Sequence, residues 1–313
     1  MRCAVLFLLA TLGLLVLVEQ GSADDSNGSR DAAIGNRYFV PAWDTQCGMG
    51  TKLALGCDAV RARTMVDASQ YPWSAIGRIN FAGYRTRKHC TGALISERHV
   101  LTAAHCLYHG RTKKWLRAES IHFLAGYQRG THVAHSTAVR YIVSGAYDTK
   151  SNRHRYDFRD DWAVVELQDP IGAETGYLSL LNLDNDGLTR ALRSGWSIAL
   201  AGYPGIREHV MSVDMECGDA WLSTVEDPSK GGVLVHHCAG MQGDSGGPTL
   251  LLEHGKATII AVLSGATIHQ DQPVGVSTPV AVFHDTVLEA LESFSPVEFQ
   301  GDPTGNSGKP SSD

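Results

Sequence analysis

The stretch Gly240-Met-Gln-Gly-Asp-Ser-Gly-Gly-Pro248 places one serine, Ser245, among four glycines. Nucleophilic serine chemistry needs a backbone of this kind. The attacking oxygen must be exposed on a tight turn while nearby backbone N–H groups point at the oxyanion that forms on the substrate. Glycine permits the positive φ and the close approach that such a turn requires. A glycine-rich serine turn is a weak signal by itself, so the base that activates the serine must be sought elsewhere in the chain.

Two upstream stretches supply candidate partners for the serine. Leu101-Thr-Ala-Ala-His-Cys106 contains His105, and Asp160-Asp-Trp-Ala-Val-Val165 contains Asp161. A histidine can take the proton of a serine as general base and return it as general acid, while a carboxylate orients the imidazole. The chain therefore holds a complete set of groups for nucleophilic catalysis, in the order His, Asp, Ser.

Three motifs resemble those of the trypsin/chymotrypsin-like serine peptidases: Thr102-Ala-Ala-His-Cys106, Asp161-Trp-Ala-Val-Val-Glu-Leu167 and Gly243-Asp-Ser-Gly-Gly-Pro248. The resemblance covers roughly residues 70–292. It implies a serine endopeptidase with an all-β fold, in which two antiparallel six-stranded β-barrels are followed by a C-terminal helix. The sequence pattern alone, short strand-like runs separated by turn signals, predicts only a mostly β protein.

The resemblance also assigns roles to individual residues. His105 is the expected general base, Asp161 the residue that orients it, and Ser245 the nucleophile that forms an acyl-enzyme. The backbone N–H groups of Gly243 and Ser245 are the expected oxyanion hole. Asp161 is preferred over Asp160 because the apolar strand of the motif begins directly after it, and Asp160 is expected to be a solvated turn residue.

The expected domain boundaries follow from these motifs and from composition. Residues 1–23 have a basic start, an apolar run and small residues at the exit, which predicts a secretory signal rather than a membrane anchor. Residues 24–70 are expected to be a propeptide or N-terminal extension. The first barrel is expected over 71–175 and the second, with the helix, over 176–292. Strands are expected near 232–237 and 248–252, and a helix over Pro279 to Phe294. The tail 293–313 is rich in Pro, Gly, Ser and Asp and is expected to be disordered.

Cysteine usage supports export and predicts disulfides. The chain has seven cysteines, of which Cys3 lies in the signal. The remaining six suggest three bridges in a secreted protein, and spacing alone leaves many pairings open. The family has a bridge beside its catalytic histidine, which implies Cys90–Cys106. Proximity then favours Cys47–Cys57 and Cys217–Cys238.

Activation is where the sequence departs from the family pattern. By the resemblance, Asp244 is the residue that pairs with a freed N-terminus in activated members, but the usual Ile-Val-Gly-Gly start is absent. Arg61 and Arg63 precede plausible cleavage points in a zymogen, although Ala62 and Thr64 are unusual new termini. Activation by cleavage is therefore a hypothesis, which an active protein that starts near residue 24 would refute.

The specificity pocket is mapped by the resemblance alone. Members that prefer Arg or Lys carry an aspartate six residues before the serine, where this chain has Ala239. This predicts against tryptic specificity and favours apolar or small side chains. Gly202-Tyr-Pro-Gly205 and Cys238 are similar to the bacterial glutamyl-endopeptidase branch, but Leu263 stands where that branch often has histidine. The expected substrate-binding residues are Ala239, Gly240, Ser264, Gly265, Ala266 and Gly275.

The sequence leaves two alternatives to this interpretation. Gly243-Asp-Ser-Gly-Gly247 also fits the nucleophile elbow of α/β-hydrolases, but a strand-like run follows it and the best histidine lies upstream. A non-catalytic binding protein on a peptidase fold is the alternative from another class. The net charge of −6 gives no reason to expect nucleic acid as a partner. We expect a monomer with protein or peptide substrates, a possible protein inhibitor, no membrane partner, no cofactor and no metal.

Overall fold

The computed structural model describes residues 57–82, 89–110, 112–147, 158–215, 217–224, 232–269 and 272–293. The expected signal 1–23, Cys47 and nearly all of the tail 293–313 lie outside these residues. Within the described part of the chain, no helix is long and apolar enough to cross a membrane.

The first half of the chain forms a closed barrel. Its six strands are antiparallel and pair in the order β2-β3-β4-β9-β8-β7. The upstream segment and this half contain helix α1 (Cys57–Ala62) and strands β1 (Thr64–Met65), β2 (Ile76–Phe81), β3 (Cys90–Leu94), β4 (His99–Thr102), β5 (Tyr108–His109), β6 (Lys114–Trp115), β7 (Ile121–Ala125), β8 (Ala134–Val143) and β9 (Ala163–Leu167). In β7, Ile121, Phe123 and Ala125 are buried while the residues between them are half-buried, as the two-residue period of a strand requires.

The second half forms an eight-stranded antiparallel sheet in the order β1-β11-β10-β14-β15-β16-β13-β12. The expected second barrel had six strands, and this sheet has eight, with β1 and β12 at its two edges. The elements of this half are α2 (Gly172–Thr175), α3 (Asn185–Arg193), β10 (Ser197–Gly202), β11 (Ser212–Asp214), β12 (Ala220–Thr224), β13 (Gly232–His236), β14 (Pro248–Glu253), β15 (Lys256–His269), β16 (Gln272–Pro279) and α4 (Val280–Ser293).

Helix α4 closes the described chain and buries one face. Val280, Phe283 and Val287 are fully buried at helical spacing, whereas Leu288 is 43% exposed. The ring of Phe283 lies 5.5 Å from that of Trp162, the residue after Asp161. The C-terminal helix therefore packs directly behind the strand that presents the predicted catalytic aspartate.

The segment upstream of residue 71 is part of the folded structure. Strand β1 pairs with β11 through Thr64 with Val213 and Met65 with Ser212. Residues 57–70, assigned from sequence to the N-terminal extension, thus contribute an edge strand to the second sheet. The expected boundary at residue 71 falls inside the packed structure, and a two-residue strand is too short to be recognised from its sequence pattern.

Two of the expected disulfides are present. Cys90 bonds to Cys106 and ties β3 to the helical turn that carries His105. Cys217 bonds to Cys238 at the base of the loop that leads to Ser245. Cys57 is also disulfide-bonded, and its expected partner Cys47 lies outside the described residues.

Two buried histidines make stability depend on pH. Burial lowers the pKa of both His89 and His236 to about 3. Below about pH 6.5 the unfolded chain takes up a proton at each position while the folded protein does not, so stability decreases as pH falls from about 6.5 toward about 3.

We expect each of these histidines to contribute about 2 kcal/mol to the stability lost between pH 7 and pH 5. His236→Asn should reduce that loss by this amount in urea unfolding at the two pH values. His254→Asn, a change at an exposed turn residue, serves as the control. An equal loss in His236→Asn and the unmodified protein would contradict the prediction.

Candidate active site

A buried carboxylate orients the histidine of the site. Asp161 is fully buried, and its Oδ2 atom lies 2.7 Å from Nδ1 of His105. Its Oδ1 atom accepts a hydrogen bond of 2.8 Å from the backbone N–H of His105. Because a carboxylate accepts, Nδ1 carries the proton, and Nε2 is left with its lone pair available to act as a base. The imidazole is 26% exposed, which keeps it accessible to a substrate.

The neighbouring aspartate has a different role. Asp160 ends the short 3-10 helix Phe158–Asp160, and its Oδ1 atom accepts a hydrogen bond of 3.1 Å from the Ser144 hydroxyl. It is half-buried rather than a freely solvated turn residue. The choice of Asp161 as the partner of His105 agrees with the geometry, while the expectation for Asp160 is corrected.

Ser245 lies on a tight turn that is anchored to the first barrel. The Thr91 amide donates a hydrogen bond of 2.9 Å to the Ser245 carbonyl, and the Thr91 hydroxyl donates one of 2.8 Å to the Gly243 carbonyl. Gly243 has φ of 102°, and a Cβ there would lie 2.4 Å from the Tyr203 carbonyl oxygen. Only glycine fits this position, and the turn is held by strand β3 of the other half.

The amides expected to form the oxyanion hole differ from their neighbours in hydrogen bonding. Among the described residues, the backbone N–H groups of Gly243 and Ser245 donate no backbone hydrogen bond, whereas those of Asp244, Gly246 and Gly247 all do. The two donors that the chemistry needs are therefore left available on an otherwise bonded turn, which suits them to stabilise developing negative charge.

Ser264 has a role that sequence reasoning missed. It was expected among the substrate-binding residues, but its side chain is buried and its hydroxyl donates a short hydrogen bond to Asp161 Oδ2. A register shift between Leu263 and Gly265 leaves Ser264 out of the pairing with β16. The bulge turns the serine toward the carboxylate, while Gly265 is half-buried and Ala266 is exposed.

The other residues expected in the specificity pocket lie in two separate places. Ala239, like Met241, packs against the cluster formed by Val60 of helix α1 and Ile206, and Gly240 is half-buried beside it. These residues lie at the start of the serine turn.

Gly275 lies against a buried ring instead. A Cβ on Gly275 would lie 2.1 Å from Cε1 of His236, so glycine is required at this position. The His236 imidazole lies 2.9 Å from the Ser277 hydroxyl, and Ser277 lies 2.8 Å from the Thr249 hydroxyl. Gly275, an expected substrate-binding residue, thus packs against a buried chain of polar side chains formed by His236, Ser277 and Thr249.

Asp244 is engaged by an arginine from the upstream segment. Its Oδ2 atom lies 2.7 Å from NH1 of Arg63, and both side chains are completely buried. Burial raises the pKa of Asp244, and the Arg63 guanidinium and the Met241 amide act in the opposite direction. Sequence reasoning placed Arg63 at a cleavage point and missed this contact, because the two residues are 181 positions apart.

His105, Cys90 and Cys106 lie close enough to suggest a metal site. The two cysteine sulfurs are bonded to each other, so they offer no thiolate ligands. The cluster is better explained by the disulfide that braces the histidine turn.

The structure places a histidine that is held by a buried carboxylate beside a glycine-rich serine turn, an arrangement typical of serine hydrolases. Comparison with known proteins is more specific. The family model described as Trypsin matches residues 63–287, and the chain belongs to the trypsin family of serine-type endopeptidases. Since the family acts on protein and peptide substrates, this also gives the chemical class of partner.

Individual relatives are distant. Phenoloxidase-activating enzyme 1 of Spodoptera litura is 27% identical over 285 residues, which cover 81% of this chain and 71% of that protein. Serine proteinase stubble of Drosophila melanogaster is 26% identical over 90% of this chain, but the match spans only 36% of its own length. A solved structure of a Glu endopeptidase in complex with MPD has a TM-score of 0.55 at 21% identity, over 73% of this chain and 96% of that one, and supports the fold.

The Ser264 contact generates a testable prediction. Ser264→Ala removes a hydrogen bond to the carboxylate that orients His105, so we expect kcat to fall about 10-fold with little change in KM. Steady-state hydrolysis of a peptide substrate measures both constants. Ser136→Ala is the matched control, since this buried serine donates a 2.8 Å hydrogen bond to Asp169, on the other side of the first barrel. An unchanged kcat in Ser264→Ala would show that the contact does not support catalysis.

Proposed function

We propose that this protein is a secreted serine endopeptidase in which Ser245 attacks the peptide bond, His105 transfers the proton and Asp161 orients the imidazole. The observation that carries the proposal is the fully buried Asp161 carboxylate, which binds both Nδ1 and the backbone N–H of His105. This arrangement fixes one tautomer and leaves Nε2 as the basic nitrogen.

The chemistry proceeds in two halves. The Ser245 hydroxyl attacks the substrate carbonyl while His105 takes its proton, and the oxyanion is bound by the amides of Gly243 and Ser245. His105 then protonates the leaving amine, which departs and leaves an acyl-enzyme. Water, deprotonated by His105, cleaves the ester and restores the free serine. Asp161 orients the imidazole and stabilises its charged form in both halves.

We propose that the pocket selects small or apolar side chains rather than Arg or Lys. Ala239 stands at the position where family members that prefer Arg or Lys carry an aspartate. Two acidic side chains close to it are already engaged: Asp214 accepts a hydrogen bond of 2.8 Å from the Ala239 amide, and Asp244 is paired with Arg63, which also donates to the Ala239 carbonyl. A cationic substrate side chain would therefore be desolvated without a partner, which is unfavourable.

The triad is tested with a fluorophosphonate probe, which reacts with activated serines. We expect the secreted protein and Ser194→Ala to be labelled and Ser245→Ala to remain unlabelled, because only Ser245 is activated by His105. Ser194 is an exposed helix-end serine and provides the matched control. Absence of labelling in all three proteins would favour the alternative function, a non-catalytic binding protein on this fold.

Specificity is tested with peptides that differ only at the residue before the cleaved bond. We expect kcat/KM for Ala or Leu to exceed that for Arg or Lys by at least about 10-fold, since a buried unpaired cation costs more than 1.4 kcal/mol. A Glu peptide belongs in the series. The strongest hydrolysis on Arg or Lys would contradict the proposed pocket, and the strongest hydrolysis on Glu would assign acidic specificity instead.

A further inference from the structure

The contacts of Arg63 suggest a role in assembling the active site. Its guanidinium is completely buried and lies 2.7 Å from Asp244 Oδ2. It also donates to the carbonyl of Ala239 at 3.2 Å, to that of Leu200 at 3.5 Å and, in a short hydrogen bond, to that of Ser212. One side chain thus joins strands β10 and β11, the predicted pocket loop and the serine turn.

The Asp244 carboxylate connects the Arg63 guanidinium to the serine turn. Besides Arg63, Oδ2 accepts a hydrogen bond of 3.0 Å from the Met241 amide. The backbone of Asp244 donates to the Met241 carbonyl at 3.1 Å and accepts from the Gly247 amide at 2.7 Å. These bonds enclose Gly243 and Ser245, whose amides are the expected oxyanion donors. The position of the carboxylate therefore determines the shape of the catalytic turn.

The chain around Arg63 is itself immobilised. Arg207 donates a hydrogen bond of 3.1 Å to the Arg63 carbonyl and a short one to the Arg61 carbonyl. Strand β1 begins at the next residue, and Val60 of helix α1 is buried beside Ile206. Ala62 and Thr64 are exposed, but peptidases cut flexible segments most readily. The two bonds that could release a new N-terminus here lie in ordered structure, one at the end of helix α1 and one at the start of strand β1.

We propose that Arg63 is a positioning residue that orders the catalytic turn from within the uncut chain. Its guanidinium supplies to Asp244 the positive charge that a freed N-terminus supplies in activated relatives, so cleavage at Arg61 or Arg63 is not needed for activity. The inference rests on the proposed serine-peptidase function. Without Arg63 the buried carboxylate has no cationic partner, a state that is strongly unfavourable and is relieved by rearrangement of the turn.

Intact mass of the labelled protein tests this without any substitution. The full-length chain is expressed, treated with the fluorophosphonate probe, denatured and weighed. We expect the labelled species to be continuous across residues 61–64. If label is found only on chains that begin at Ala62 or Thr64, this proposal is wrong while the serine-peptidase function stands. If no label appears before or after limited cleavage in this segment, both are wrong.

Substitution tests the role of the side chain. We expect Arg63→Gln to lower kcat about 100-fold with little change in KM, because the loss resembles that of an oxyanion donor. Arg63→Lys keeps the charge without the planar fork and should recover about a tenth of the activity. Arg61→Gln is the matched control, since the neighbouring Arg61 guanidinium pairs with the exposed Asp58 at 3.4 Å, whereas Arg63 pairs with the buried Asp244. Thermal unfolding reports whether each variant folds.

These substitutions have outcomes that overturn the proposal. Full activity in a folded Arg63→Gln protein would show that the turn is ordered without the guanidinium. If Arg63→Gln does not fold, the Lys variant and the intact mass decide: an Arg63→Lys protein with no more activity than Ser245→Ala, or label confined to cleaved chains, contradicts the proposed role.

Discussion

Two fully buried charges, the Arg63 guanidinium and the Asp244 carboxylate, form the contact on which the catalytic turn depends. Either charge alone in the interior would be strongly destabilising, so each requires the other to be in place. The pair forces the segment 57–65 to pack on the second sheet, and it holds Asp244 where its backbone and side chain close the turn around Ser245. The pairing of Arg63 with Asp244, which stability requires, thus also determines the geometry of the active site.

The two halves of the molecule also position each other's catalytic groups. Asp161 belongs to the first half, but Ser264 of strand β15 donates a hydrogen bond to it. Ser245 belongs to the second half, but its turn is held by Thr91 of strand β3. Because each catalytic group is fixed by the opposite half, a shift between the halves would disturb the base and the nucleophile together. This explains why the site lies at their junction.

Local sequence signals predicted most of the fold and the pairing of His105 with Asp161. The helix expected over Pro279 to Phe294 is observed as Val280–Ser293, and the strands expected near 232–237 and 248–252 are observed as Gly232–His236 and Pro248–Glu253. These elements can be recognised in the sequence from the periodicity of their apolar residues and from the turn residues beside them. The roles of Ser264 and Arg63 could not be predicted in the same way, because they depend on a bulge and on a contact between residues 181 positions apart. An arginine in an upstream segment is more easily read as a cleavage site.

An experimental structure of the protein with a phosphonate bound to Ser245 tests the central claim most directly. The account predicts a continuous backbone from Arg63 to Thr64, the Arg63 guanidinium on Asp244, and the phosphonyl oxygen within hydrogen-bonding distance of the Gly243 and Ser245 amides. A break in the chain at Arg61 or Arg63, with a new N-terminal ammonium on Asp244 in place of the guanidinium, would contradict it.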